Sequence, residues 1–297
     1  MIRAPRNPLH VCSRFMTSVW IGIALCWLSI GAAPAAVDAA ARALLPDDVR
    51  DKGVLSAGLP LDYEPFNFID DSKQPTGLDV EILRAVADKL GLTVDIQRIG
   101  FASLIPSISG GRIDVGMSAM AILKQRLAVV SFVRYGLLSS SLIVRKGNPT
   151  NLRVDGELCG HTISVEKGTS THLLWERLAK ACETAGKPKV DLLIFEGKGP
   201  QVLAVENGRA EAAGFGYATV LVVARNSQGH LEPAPGGSIP GATTESGIAI
   251  RKDRVKLGQA IEAALKSVVA DGTYDRIFEK WGLSRDRATP QFVQEQP

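Results

Sequence analysis

Histidine, cysteine and aromatic residues are scarce in this sequence, and each shortage removes a class of function. His161, His172 and His230 are scattered, and none stands at a spacing with cysteine that fits a metal site. The reading therefore places all three on a surface or a helix face and calls for no metal and no cofactor. No histidine–carboxylate pair or nucleophile constellation stands out for catalysis. Charge of one sign is missing too. The 34 lysines and arginines exceed the 31 acids only through Arg3, Arg6 and Arg14. No basic field is left to point to nucleic acid.

Those three arginines precede the chain's one long apolar run, Phe15 to Ile30, which Gly31-Ala32-Ala33-Pro34-Ala35-Ala36 follows. A basic leader, an apolar stretch and small residues make a secretory signal peptide, expected over 1–36 with cleavage near Ala35 to Ala41. The run falls short of the ~18 to 20 apolar residues that span a bilayer. About 260 residues then remain, enough for two modest domains, with a periplasmic location expected. Cys12 and Cys26 leave with the leader. Cys159 and Cys182 stay in an oxidising compartment, where a disulfide between them is expected.

Along the rest of the chain the pattern alternates. Gly53 to Gly58 reads as a strand, and Leu83, Val86, Ala87 and Leu90 give one helix face that Gly91 stops. A strand follows over Leu92 to Ile99, then a helix from Phe101. Two separate runs come next, Val129 to Phe132 and the crossover strand Ser140 to Arg145, broken at Lys146-Gly147-Asn148-Pro149. The alternation then restarts: a strand over Thr162 to Val165, a helix through Leu173 and Leu178, and a strand over Val190 to Phe195. Pro200 suits the first turn of the next helix. A short strand over Glu211 to Gly216, a helix over Ala218 to Arg225, a strand over Ser246 to Arg251 and two amphipathic helices close the chain. The polar tail from Ser284 is expected to be loose. Two similar α/β units stand in tandem.

The stretch Gly110 to Arg126 draws the chemistry together. Two glycines end a helix, Ile113 to Met117 reads as a strand, and Ser118, Ala119 and Ala121 let a ligand approach the backbone. Arg126 closes the stretch with a planar fork suited to a carboxylate. Further motifs agree: Tyr63-Glu64-Pro65-Phe66, Gly77-Leu78-Asp79-Val80-Glu81, Gly111-Arg112-Ile113-Asp114, Gly168-Thr169, Gly208-Arg209-Ala210-Glu211-Ala212, Gly247 to Lys252 and Lys280-Trp281-Gly282. In order and spacing they resemble the solute-binding proteins of polar amino-acid ABC importers.

The resemblance implies an α/β, two-lobed periplasmic-binding-protein fold of type II, with two crossover strands forming a hinge. It places lobe 1 at 42–145 plus 247–283 and lobe 2 at 146–246. It implies a monomer that carries a small carboxylate-bearing solute to a membrane permease. Arg126 would clamp the ligand carboxylate, Thr169, Ser170 and Thr171 would meet it from the other lobe, Tyr63 and Phe101 would wall the site, and Ser118, Ala119 and Ala121 would line it. The chain departs from the family at Gly216, where an aspartate for the ligand ammonium usually sits, and at Ala121 and Leu123. Glu166 and Glu245 could replace that aspartate but read as structural or exposed, and Tyr217 could fill the vacated space. The expected bias is towards a carboxylate without an α-amine. A cyclohexadienyl dehydratase-like enzyme and a receptor sensor domain are the alternatives.

Overall fold

The computed structural model describes residues 36–295, so the expected signal peptide lies, but for its last residue, outside the described residues. Helices α1 (Ala39–Ala43) and α2 (Asp47–Lys52) lead into strand β1 (Val54–Leu59). Asp38 caps α1 by accepting from the Ala40 and Ala41 N–H groups. Arg42 donates to Leu90 O at 2.6 Å, which ties α1 to the rest of the fold. A small antiparallel sheet follows, β2 (Asp62–Tyr63), β3 (Asn67–Ile69) and β4 (Pro75–Thr76). Next come α3 (Leu78–Leu90), β5 (Thr93–Arg98), α4 (Phe101–Ser109), β6 (Val115–Gly116) and the short α5 (Lys124–Leu127). Gly91 takes a left-handed φ of 63° and ends α3, as its sequence position suggests.

The two runs expected on either side of Ser140 form one strand, β7 (Val130–Arg145). Extended backbone joins them: Arg134 and Gly136 to Ser139 pair with a neighbouring strand, and an irregularity in the register leaves Tyr135 out of the pairing. After it come β8 (Thr162–Glu166), α6 (Ser170–Thr184), β9 (Asp191–Phe195), α7 (Lys198–Glu206), β10 (Ala212–Gly216), α8 (Tyr217–Asn226) and β11 (Leu231–Pro233). Strand β12 (Thr243–Arg251), α9 (Val255–Ala270), α10 (Thr273–Lys280) and β13 (Arg287–Val293) complete the order. The tail expected to be loose is therefore paired: Gln291, Phe292 and Val293 lie opposite Arg134, Val133 and Phe132 of β7. Its Phe292 ring packs so closely on α9 that a Cβ at Gly258 would stand 2.3 Å from it.

Strand β7 organises the sheet, whose order is β5-β1-β6-β12-β7-β10-β8-β9, with β11 and β13 also paired to β7. Its first part, Val130 to Ser139, pairs antiparallel with β12, and Ser140 to Val144 pairs with β10. The pairs β1/β5, β1/β6, β8/β9 and β8/β10 are parallel. Such strands need helical cover, and the helices supply it. On the β1 side Leu83, Val86, Leu265 and Phe278 form one core, with Leu104, Ile108 and Phe132 in a second. On the β8 side Leu142, Val165 and Trp175 form a third, and Ile143, Val205 and Phe215 a fourth. The hydrophobic side chains thus gather into separate cores on either side of the midpoint of β7.

The disulfide joins Cys159 to Cys182, tying the end of α6 to the segment before β8. A cross-link over 23 residues of sequence constrains the unfolded chain by about 3 kcal/mol. The double variant Cys159→Ser/Cys182→Ser should lose roughly that much in urea unfolding, while the far end of α6, at Ser170, keeps its conformation. An unchanged unfolding midpoint would show that the bridge does not constrain the unfolded state.

Candidate functional site

Loops at the ends of β1 and β6 face the loop between β8 and α6 across a cleft. The cleft is narrow, with a cavity volume of about 30 Å³, and its walls come from both sides of the sheet. Tyr63, Phe101, Ser118, Ala119 and Ala121 line one wall; Glu166, Thr169, Ser170, Thr171, Lys198 and Gln201 line the other. Eight of the ten expected ligand-binding residues thus meet in one cleft. Arg126 and Gly216 stand just behind its surface.

A buried network positions the first wall. Asp79, at the start of α3, accepts from Tyr135 Oη at 2.6 Å, Asn67 Nδ2 at 2.9 Å and the Ala119 N–H at 3.0 Å. Asn67 Nδ2 also lies 3.3 Å from Ser118 Oγ. Ala119 is held at a φ of 41°, a left-handed conformation that costs a residue with a Cβ. The Asp79 bond to its N–H offsets that cost.

Arg126 is 5% exposed, and among the described residues no carboxylate lies within ion-pair distance of it. Nη1 donates to Ala121 O at 2.7 Å, and Nη2 donates to Gly168 O at 2.8 Å. The second bond crosses the cleft to the residue just before the α6 turn. The guanidinium also lies 5.4 Å from the centre of the Phe101 ring, within cation–π range. Burial pushes its pKa down to about 10.

At α6 the N-cap is Thr169. Its Oγ1 accepts from the His172 N–H at 3.1 Å and donates to Glu166 O at 2.8 Å. The proton of that hydroxyl is thus engaged with the backbone of its own loop. Ser170 and Thr171 open the helix, where the first N–H groups have no partner within it. His172 lies on α6, as expected of a helix-face histidine, and is buried there, its Nδ1 accepting from the Gly168 N–H.

Gly216 leaves no empty space. A Cβ there would stand 2.8 Å from Leu138 Cδ1 and 2.9 Å from Tyr63 Oη. These two side chains, rather than Tyr217, fill the position. Glu245 pairs with Arg134 away from the cleft. Glu166, which the sequence reading set aside, is 6% exposed and lines the cleft. Burial raises its pKa, although the Lys198 charge 2.7 Å away works against the rise. Lys198, Gln201, Leu138, Gly214 and Phe215 were not anticipated. One signal was available for Lys198: a lysine at a helix start has the wrong sign for the helix dipole, so another group must hold it.

Residues 55–284 match the family model described as bacterial extracellular solute-binding proteins, family 3. The arginine-binding protein ArgT of Corynebacterium glutamicum is 27% identical over 86% of this chain and 83% of its own. A mutant of the T. maritima protein ArgBP superposes with a TM-score of 0.69 at 29% identity, over 80% of this chain and 98% of its own. The ancestral amino-acid-binding protein AncCDT-1, described as a precursor of cyclohexadienyl dehydratase, gives a TM-score of 0.68 at 26% identity, over 79% and 98%.

Burial pushes the Asp79 carboxyl up to about 6 despite its three donors. A raised carboxyl stabilises fully below its unfolded value and loses that contribution as pH rises through the folded one. The stability of the protein relative to Asp79→Asn should therefore fall by about 3 kcal/mol between roughly pH 4 and 7. Thermal melts of both proteins across that range check this, and a constant difference would contradict it.

Proposed function

The chain belongs to family 3 of the bacterial extracellular solute-binding proteins, and from that membership we propose that it captures a small amino acid or related carboxylate in the periplasm for the permease of an ABC importer. One observation carries the reading. Arg126 is a buried cation without a carboxylate partner among the described residues, and it lies where both walls of the cleft meet. An uncompensated buried charge is costly, and a ligand carboxylate relieves that cost while keeping the contact across the cleft. In this reading residues before and after the crossover strands β7 and β12 form the two lobes, and those strands are the hinge. A ligand that touches both walls favours the closed arrangement, and the permease reads that arrangement.

Binding rather than catalysis fits the lining residues. Glu166 is the carboxylate of the lining, and Lys198 holds it at 2.7 Å. A carboxyl so engaged is a poor proton donor to a substrate. Export through a cleaved leader accords with the family, and among the described residues no helix is long and apolar enough to cross a membrane. The filled space at Gly216 supports a ligand for which an α-ammonium is not the main handle.

An Arg126→Ala variant should fold and lose ligand affinity by at least about a hundredfold, the loss of a charge-assisted double hydrogen bond. Calorimetric titration with the small molecule that copurifies with the wild-type protein measures it. Unchanged affinity would remove Arg126 from the site and with it the proposed mode of capture.

A further inference from the structure

We propose that Lys198 determines specificity: its ammonium fills the acidic corner of the cleft, bars ligands with a cationic side chain and selects carboxylates whose other end is uncharged. The inference rests on the binding reading above and deepens it.

Lys198 is the first residue of α7 and 8% exposed. A cation at a helix start is repelled by the helix dipole, so its own helix does not favour the side chain there. The cleft does. Nζ lies 2.7 Å from Glu166 Oε2, 3.4 Å from Asp62 Oδ1 and 4.3 Å from the centre of the Tyr63 ring. Two carboxylates and an aromatic face are the groups that an ammonium or guanidinium of a ligand would seek. Lys198 already occupies all three. A cationic ligand would have to displace it and leave a buried lysine without a partner.

Two further observations set the class. Glu166 and Asp62 are both engaged with Lys198, so among the described residues neither pairs with Arg126, and a ligand carboxylate is the partner Arg126 lacks. Gln201 is fully buried and lines the cleft. Its Nε2 donates to Ser164 O at 3.1 Å and Gly214 O at 2.8 Å, which fixes the amide. Its Oε1 has no partner. A buried acceptor so held calls for a neutral donor, a hydroxyl or amide N–H, beyond the ligand carboxylate.

Calorimetric titrations of wild type, Lys198→Met and Lys198→Met/Glu166→Gln with L-arginine, L-lysine, L-glutamine, L-threonine and lactate test the inference. Wild type should bind at least one of the three uncharged probes at least about tenfold more tightly than either basic one. Lys198→Met, which exposes Glu166, should gain at least about tenfold for L-lysine or L-arginine, and the double variant should lose that gain. Where Lys198→Met does not fold, Glu166→Gln serves instead: it frees the Lys198 charge and should tighten L-glutamate binding by about tenfold. Preference of the wild type for a basic amino acid overturns the inference, as does a Lys198→Met variant with unchanged ratios or, in the fallback, unchanged L-glutamate affinity. In those cases Arg126-dependent binding of a carboxylate leaves the binding reading standing. If no form of the protein binds any probe, both fall together.

Discussion

A positive charge buried without a negative partner is the constraint on which this molecule turns. Arg126 is shut away from water, and its fork is held by two carbonyl oxygens, Ala121 O and Gly168 O, from opposite walls of the cleft. Carbonyls orient a guanidinium but do not neutralise it. The fold therefore carries an electrostatic deficit at a point where its two sides touch. In the proposed mode of capture, a solute that brings a carboxylate would remove the deficit, so that affinity and closure would come from one interaction.

The architecture makes that point possible. Strand β7 is shared: its first part completes the sheet built around β1, and its last part completes the one built around β8. The hydrophobic cores on the two sides are separate clusters, so each side packs by itself. The cleft residues between them are set by buried polar bonds rather than by a common apolar core. Asp79 is the clearest case. It sits on a helix of the first core, yet its oxygens fix Ala119 in a strained conformation at the cleft wall. Stability in the core is thereby coupled to geometry at the site.

Much of this was legible in the residues. Helix stops at glycine and apolar periodicity placed most elements, and the motifs brought out eight of the fourteen residues that line the cleft. What escaped has physical reasons. The strand β7 looked like two because polar and small residues at its centre interrupt the apolar pattern without ending the strand. The tail looked loose because polarity was weighed above the two apolar residues, Phe292 and Val293, that pair and pack. Gly216 looked like a vacancy because a missing carboxylate is visible in sequence and the side chains that close over it are not. Glu166 was undervalued because its partner, Lys198, lies 32 residues on, and only the fold brings the two together.

That last pair decides how the relatives bear on this chain. ArgT and ArgBP are named for arginine, a ligand with a cation at its far end. A site for such a ligand needs acids and an aromatic face left open to it. Here the acids and the aromatic face exist, but a lysine of the protein lies among them. A scaffold can keep its carboxylate clamp and change its preference at the other end by supplying the counter-charge internally. In the proposed reading the clamp and the corner are separate interactions on the same cleft, so the second could vary while the first is kept.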